Sequence, residues 1–134
     1  MWVANYYTQN ETNETLKRCF EGVSFIILST HPHSKKEAYK VINEKVNHFN
    51  IGSLFDEIHA TRKYHKSKGE YILRILKKFN IPKSKALMIG DNYLWDYKYV
   101  KDIGVESLLV RTDYMKKDKR LKVIEKFTDL LRYV

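Results

Sequence analysis

Short apolar, β-rich runs alternate along this chain with segments whose apolar residues recur at helical spacing, and that alternation admits few folds. Val23–Leu28, Ala86–Ile89 and Val105–Val110 read as buried strands, and Leu54–Ala60 as a shorter, weaker one. Between the first two, Ser34 with Glu37 three residues on forms a capping box. It opens a predicted helix to about Phe49 with Ala38, Val41, Ile42 and Val46 on one face. The polar stretch Thr61–Lys66 reads as a loop. Ser67 with Glu70 repeats the capping pattern, ahead of an apolar face of Tyr71, Ile72, Ile75, Leu76 and Phe79. Trp95–Ile103 is predicted helical and stops at Gly104. Thr12–Glu21 and Lys117–Leu131 are predicted helices near the two ends. Strands separated by helices require right-handed crossovers and parallel pairing. The prediction is therefore an α/β fold of three layers around a mostly parallel sheet, in a single domain over residues 1–134.

Composition supports a packed core. The sequence is 43% apolar and 13% aromatic, which argues against disorder. No run approaches the roughly 18 apolar residues of a membrane span, so no membrane partner is expected. The N-terminus reaches the polar stretch Thr8–Glu11 at once and shows no signal peptide. Cys19 is the single cysteine, which excludes an internal disulfide and points to a reducing, cytoplasmic setting. Two glycosylation sequons, at Asn10 and Asn13, are then accidental. The net charge of +9 is spread over the chain and reads as solvated helix faces. It implies affinity for polyanions at most, and no nucleic-acid motif accompanies it.

Chemistry-bearing residues collect at one edge of the predicted sheet. Ser29 and Thr30 follow the first clear strand, Asp91 the third and Thr112 the fourth, while Lys68 opens the helix after the second. In a parallel sheet all carboxyl ends share one edge, where ligands of open α/β sheets bind. A hydroxyl donates to a phosphoryl oxygen, a lysine offsets its charge, and carboxylates suit a hard cation such as Mg²⁺. Asp96 follows Asp91 by five positions and could join it on the cation. Lys66 rivals Lys68 for the cationic role. Tyr93 and Trp95, between the two acids, read as packing residues rather than a stacking platform. The histidines at 31, 33, 59 and 65 show no metal-ligand spacing.

This arrangement resembles the haloacid dehalogenase (HAD) superfamily. The family's second motif, a hydrophobic strand ending in Ser or Thr, is matched by Phe25–Thr30. Its third, a Lys at a helix start, is matched by Lys68. Its fourth, Gly-Asp with a second Asp beyond, is matched by Gly90-Asp91 and Asp96. Lys68 precedes Gly90 by 22 positions, which resembles the family's spacing. The stretch from Ser67 to Thr112 resembles the magnesium-dependent phosphatase branch. The resemblance implies a Rossmann-like HAD core without a cap domain and a phosphorylated substrate or phosphate anion as partner. It implies Ser29, Lys68 and Asp91 as catalytic residues, with Ser29, Thr30 and Lys68 holding phosphate and Asp91 and Asp96 holding Mg²⁺. A homodimer is left open.

One departure weighs against full activity. The family's first motif, Asp-x-Asp-x-Thr, carries the nucleophile and the general acid/base, and the first aspartate of this chain is Asp56. In the family that strand lies at the middle of the sheet, and an empty central slot would strand backbone hydrogen-bonding groups. The β-prone Trp2–Tyr7, within a degenerate or truncated first-strand region over residues 1–11, or a segment from another chain, is therefore expected to fill it. The resulting expectation is an Mg²⁺-dependent phosphatase domain, truncated or catalytically impaired, that binds Mg²⁺ weakly. The alternative is a non-catalytic HAD-derived phosphate-binding or interaction module.

Overall fold

The computed structural model describes residues 22–31, 34–48, 50, 52–62, 65–111, 121–125 and 129. Strand β1 (Ile26–His31) leads to helix α1 (Lys35–His48), strand β2 (Glu57–Arg62) and helix α2 (His65–Lys78). Strand β3 (Leu87–Gly90) follows, then a π-helical turn (Tyr93–Lys98) that continues as the short α3 (Tyr99–Asp102). Strands β4 (Glu106–Val110) and β5 (Val123–Ile124) complete the described elements. Every strand pair is parallel, as the βα alternation predicts.

Alternate residues of β1 separate two cores. Ile27 packs with Ala60 of β2 and with Ala38, Ile42 and Val46 of α1. Ile26 and Leu28 pack on the other side with Ile72, Ile75 and Leu76 of α2, Met88 of β3 and Val100 of α3. Helices thus cover both faces, which makes the three layers. No cap domain is evident among the described residues.

The described strands form two hydrogen-bonded groups, β1-β2 and β3-β4-β5, rather than one continuous sheet. Residues of β1 and β3 nevertheless share the same core. Trp2–Tyr7, assigned to the central slot, and the predicted helix Thr12–Glu21 lie outside the described residues.

Several boundaries depart from the sequence prediction, each for a tertiary reason. β1 runs on through Ser29 and Thr30, and β2 through Thr61 and Arg62, because the two strands pair residue for residue from Ile26↔Glu57 to His31↔Arg62. Pairing recruits polar residues that read as loop. α2 begins at His65, so Ser67 lies in its first turn instead of capping it. Ser34 does cap α1, accepting from the Glu37 N–H at 3.3 Å. Val123–Ile124 is a strand inside the segment predicted as the last helix. It pairs with Leu109 and Val110 and buries Ile124.

Candidate functional site

The carboxyl end of β3 organises the described polar residues. Gly90 is the last residue of the strand, and the chain turns sharply after it. The glycine is required by contact: a Cβ there would lie 2.3 Å from Asp96 Oδ2 and 2.4 Å from Asp96 Cβ. Only a hydrogen leaves room for the aspartate to fold back over the strand end.

Asn92 caps the turn that follows, its Oδ1 accepting from the Trp95 N–H at 2.9 Å. The turn is π-helical: the Tyr99 N–H donates to the Leu94 carbonyl five residues back. This wide turn differs from the regular helix predicted over Trp95–Ile103. It buries Asp96 completely, at 0% exposure. Asp96 Oδ1 accepts from the Lys68 ammonium, and Oδ2 accepts from the Asn92 N–H at 3.0 Å and the Asp91 N–H at 3.2 Å. From β4, the buried Ser107 hydroxyl donates to the Asp96 carbonyl at 2.5 Å. Lys68, itself 3% exposed, reaches this point from the first turn of α2. The close approach of α2 to α3 is eased by Gly69, where a Cβ would lie 3.3 Å from Ile103 Cγ2.

A buried charge pair costs desolvation on both partners and persists only when further hydrogen bonds satisfy it. Here Lys68 and Asp96 satisfy each other, and Asp96 also orders the backbone that carries Asp91. The structure therefore brings Lys68, Asp91 and Asp96 to one strand edge. Asp96 was expected beside Asp91 as a metal ligand, yet both its oxygens are engaged and neither faces solvent. Asp91 is half-buried at the strand end. Ser29 is half-buried within the last half of β1. The side chains of Thr30 and Lys66, and all of Thr112, lie outside the described residues. Among the described residues no three His, Cys, Asp or Glu side chains cluster as a metal cage.

Two contributors escaped the sequence reading. Asn92 was hidden by its neighbours, Asp91 and Tyr93, and only an Asn after Gly-Asp hinted at a cap. Ser107 showed as a hydroxyl in an apolar strand. Asp56, the first aspartate, serves at the opposite end of the strands, where its Oδ2 accepts from the Phe25 N–H at 2.7 Å.

A second polar network flanks β2. Glu57 accepts from Lys78 through Oε1, and its Oε2 lies 2.5 Å from His59 Nε2. His59 Nδ1 bonds the Tyr71 hydroxyl at 2.9 Å. The Lys78 hydrogen bond first, then that of His59, holds the Glu57 carboxyl below its usual range. Burial first, then neighbouring Tyr39, pushes the Tyr71 phenol up. This network starts at the amino end of β2, away from the Asp91 edge.

Comparisons with known proteins bear on the fold and the family. Among solved structures, an uncharacterized protein from Listeria monocytogenes serotype 4b superposes with a TM-score of 0.68 at 22% identity, covering 90% of this chain and 75% of that one. A haloacid dehalogenase-like family hydrolase from Xanthomonas campestris gives 0.69 at 15%, covering 91% and 48%. A HAD phosphatase from Thermococcus onnurineus gives 0.67 at 16%, covering 92% and 54%. The chain thus spans about half the length of the last two, and identities this low speak to fold alone. No curated protein matches. The family model described as haloacid dehalogenase-like hydrolase matches residues 5–110, most of the chain. On that match, the chain belongs to the haloacid dehalogenase-like hydrolases.

Proposed function

We propose that these residues form the phosphate-handling part of a Mg²⁺-dependent phosphohydrolase domain, of which these 134 residues hold no Asp-x-Asp motif. The observation that carries the reading is the fully buried Lys68–Asp96 pair, built into the backbone that presents Asp91. A pair that costly, at a strand edge where ligands bind, suits a pre-organised anion site. In this reading Lys68 offsets phosphoryl charge while Asp96 holds its ammonium in place. Ser29, and Thr30 beside it, donate hydroxyls to phosphate oxygens.

The donor set suits Mg²⁺ in a limited way. With Asp96 spent on Lys68 and two amides, Asp91 is the carboxylate assigned to the cation. Mg²⁺ is often held by one or two carboxylates together with water and substrate phosphate. When bound, the ion supplies Lewis-acid neutralisation of phosphoryl oxygens. With a single carboxylate its affinity is expected to be weak. The partner is a phosphorylated substrate, and the setting is the cytoplasm.

The sequence contains no Asp-x-Asp, and Asp56 is occupied at the far end of the strands. These two facts favour, as the second reading, a binding module that keeps the anion site without covalent chemistry. The test is hydrolysis of an aryl phosphate with added Mg²⁺ by the 134-residue chain and by Asp91→Asn, alongside thermal unfolding with and without phosphate. Little turnover is expected, with phosphate raising the melting temperature and Lys68→Met removing that increment. Robust turnover abolished by Asp91→Asn would overturn the impaired-enzyme reading. A melting temperature indifferent to phosphate would overturn the anion site.

A further inference from the structure

We propose that the outer face of the Tyr93–Lys98 turn is a subsite for the organic part of the phosphate ester, and that it selects esters whose organic group is a planar aromatic ring. The inference rests on the phosphate site proposed above and names the substrate class that site would take.

Position comes first. Tyr93 and Leu94 are the second and third residues after Asp91. Consecutive Cα atoms lie about 3.8 Å apart, so the Tyr93 Cα is within about 8 Å of that of Asp91. A phosphate held at Asp91 must project its organic group past the residues that rim this strand end.

Exposure comes second. Among the described residues the exposed large apolar side chains are Val23, Tyr93 at 49% and Leu94 at 37%. Two of these three adjoin each other beside Asp91. The packing needs of the turn are met from its other side, by Asp96 and, one turn on, by Val100, both at 0% exposure. Core packing therefore does not account for the exposed part of Tyr93. Exposed apolar groups clustered on an ordered loop mark interaction sites.

Geometry comes third. The Tyr93 and Tyr97 rings are nearly parallel, with an interplanar angle of 21° and centroids 6.1 Å apart. The Tyr97 hydroxyl accepts from the Lys122 N–H at 3.5 Å, which ties that ring to the start of β5. Tyr97 thus backs Tyr93 and limits its rotation. The turn beneath is held by the Asn92 cap, by the Asp96 N–H donating to the Asn92 carbonyl at 2.9 Å, and by Ser107. A platform ordered in advance loses little conformational freedom on binding. A half-exposed tyrosine ring on such a platform can meet another π-system by face or by edge, and a planar ring gains more there than a flexible aliphatic chain.

Aryl phosphates and nucleoside monophosphates share this chemistry, and calorimetric titration separates them. The probes are inorganic phosphate, glycerol phosphate, phenyl phosphate and adenosine monophosphate, each with Mg²⁺. At least one planar ester should bind about tenfold tighter than glycerol phosphate, as one ring stack allows. Tyr93→Ala should bring it to the glycerol phosphate level and leave inorganic phosphate unchanged, while Tyr93→Phe should keep the preference. A preference for phenyl phosphate alone or for the nucleotide alone would identify the source. Equal affinities for planar and aliphatic esters, or a preference that survives Tyr93→Ala, would remove the platform and leave the phosphate site standing. Failure of inorganic phosphate to bind the folded wild type would overturn the phosphate site and the platform with it.

Discussion

Removing Asp96 should cost this fold more than any other change at the strand edge. Asp96→Ala leaves the Lys68 ammonium buried, at 3% exposure, without its carboxylate. Breaking a buried pair from one side typically costs about 3–5 kcal/mol. The Asp91 and Asn92 N–H groups lose their shared acceptor as well. A buried donor left unpaired costs about 1–3 kcal/mol. The penalties overlap, because water entering the cavity relieves both, so the expected loss is about 4–6 kcal/mol, set against a typical domain stability of about 5–15 kcal/mol. Asp96→Asn keeps a carbonyl oxygen for the two amides but no charge for Lys68, and should cost about 3 kcal/mol. Lys68→Met should cost about as much by leaving the aspartate unpaired. The double variant Lys68→Met/Asp96→Asn should lose about 2 kcal/mol less than the sum of its singles, since residues in direct contact couple. Urea unfolding followed by circular dichroism measures all four, with the midpoint read at constant slope. Single costs below about 1 kcal/mol, or strict additivity of the pair, would refute the assignment of the Lys68–Asp96 contact as the organiser of this edge.

Three further outcomes are expected. Gly90→Ala should destabilise by about 3 kcal/mol or more in the same assay, because its Cβ would overlap Asp96 at 2.3–2.4 Å and neither the strand end nor the buried aspartate can move away. Glu57, whose carboxyl is held below its usual range by Lys78 and His59, contributes stability that is complete above the ordinary glutamate value of about 4.3 and is lost as pH falls through the lowered folded value. Glu57→Gln should therefore flatten the acid side of a stability-versus-pH curve, and an unchanged acid limb would count against the network. Finally, if Trp2–Tyr7 fills the central slot, its amides should resist hydrogen exchange to the level of β1 and β3. Exchange at unprotected rates would refute that placement.

Much of the architecture was legible in one dimension. Parallel pairing and three layers follow from apolar runs separated by amphipathic helices, since no other connection returns a strand in the same direction. Gly90-Asp91 after Ala86–Ile89 marked the candidate edge because a carboxylate ending a buried strand needs partners. Lys68 and Asp96 could be picked out by motif spacing. What spacing could not say is that they meet. Their 28 positions of separation close only when α2 lies across α3, with Gly69 against Ile103. Nor could spacing say that the Asp96 carboxylate, a candidate metal ligand in sequence, accepts from a lysine and two amides. The π-turn has no signature of its own in Tyr93–Lys98. Within it Asp96 is buried and its carbonyl accepts from Ser107 of a neighbouring strand, contacts that form only in the folded chain. Val123–Ile124 sits in a charged segment whose local preference is helical, and became a strand because β4 offered an open ladder to pair with. Local chemistry along the chain thus determined the kinds of element and their order. Which polar groups lost their water, and therefore which had to find one another, was decided only when the layers closed.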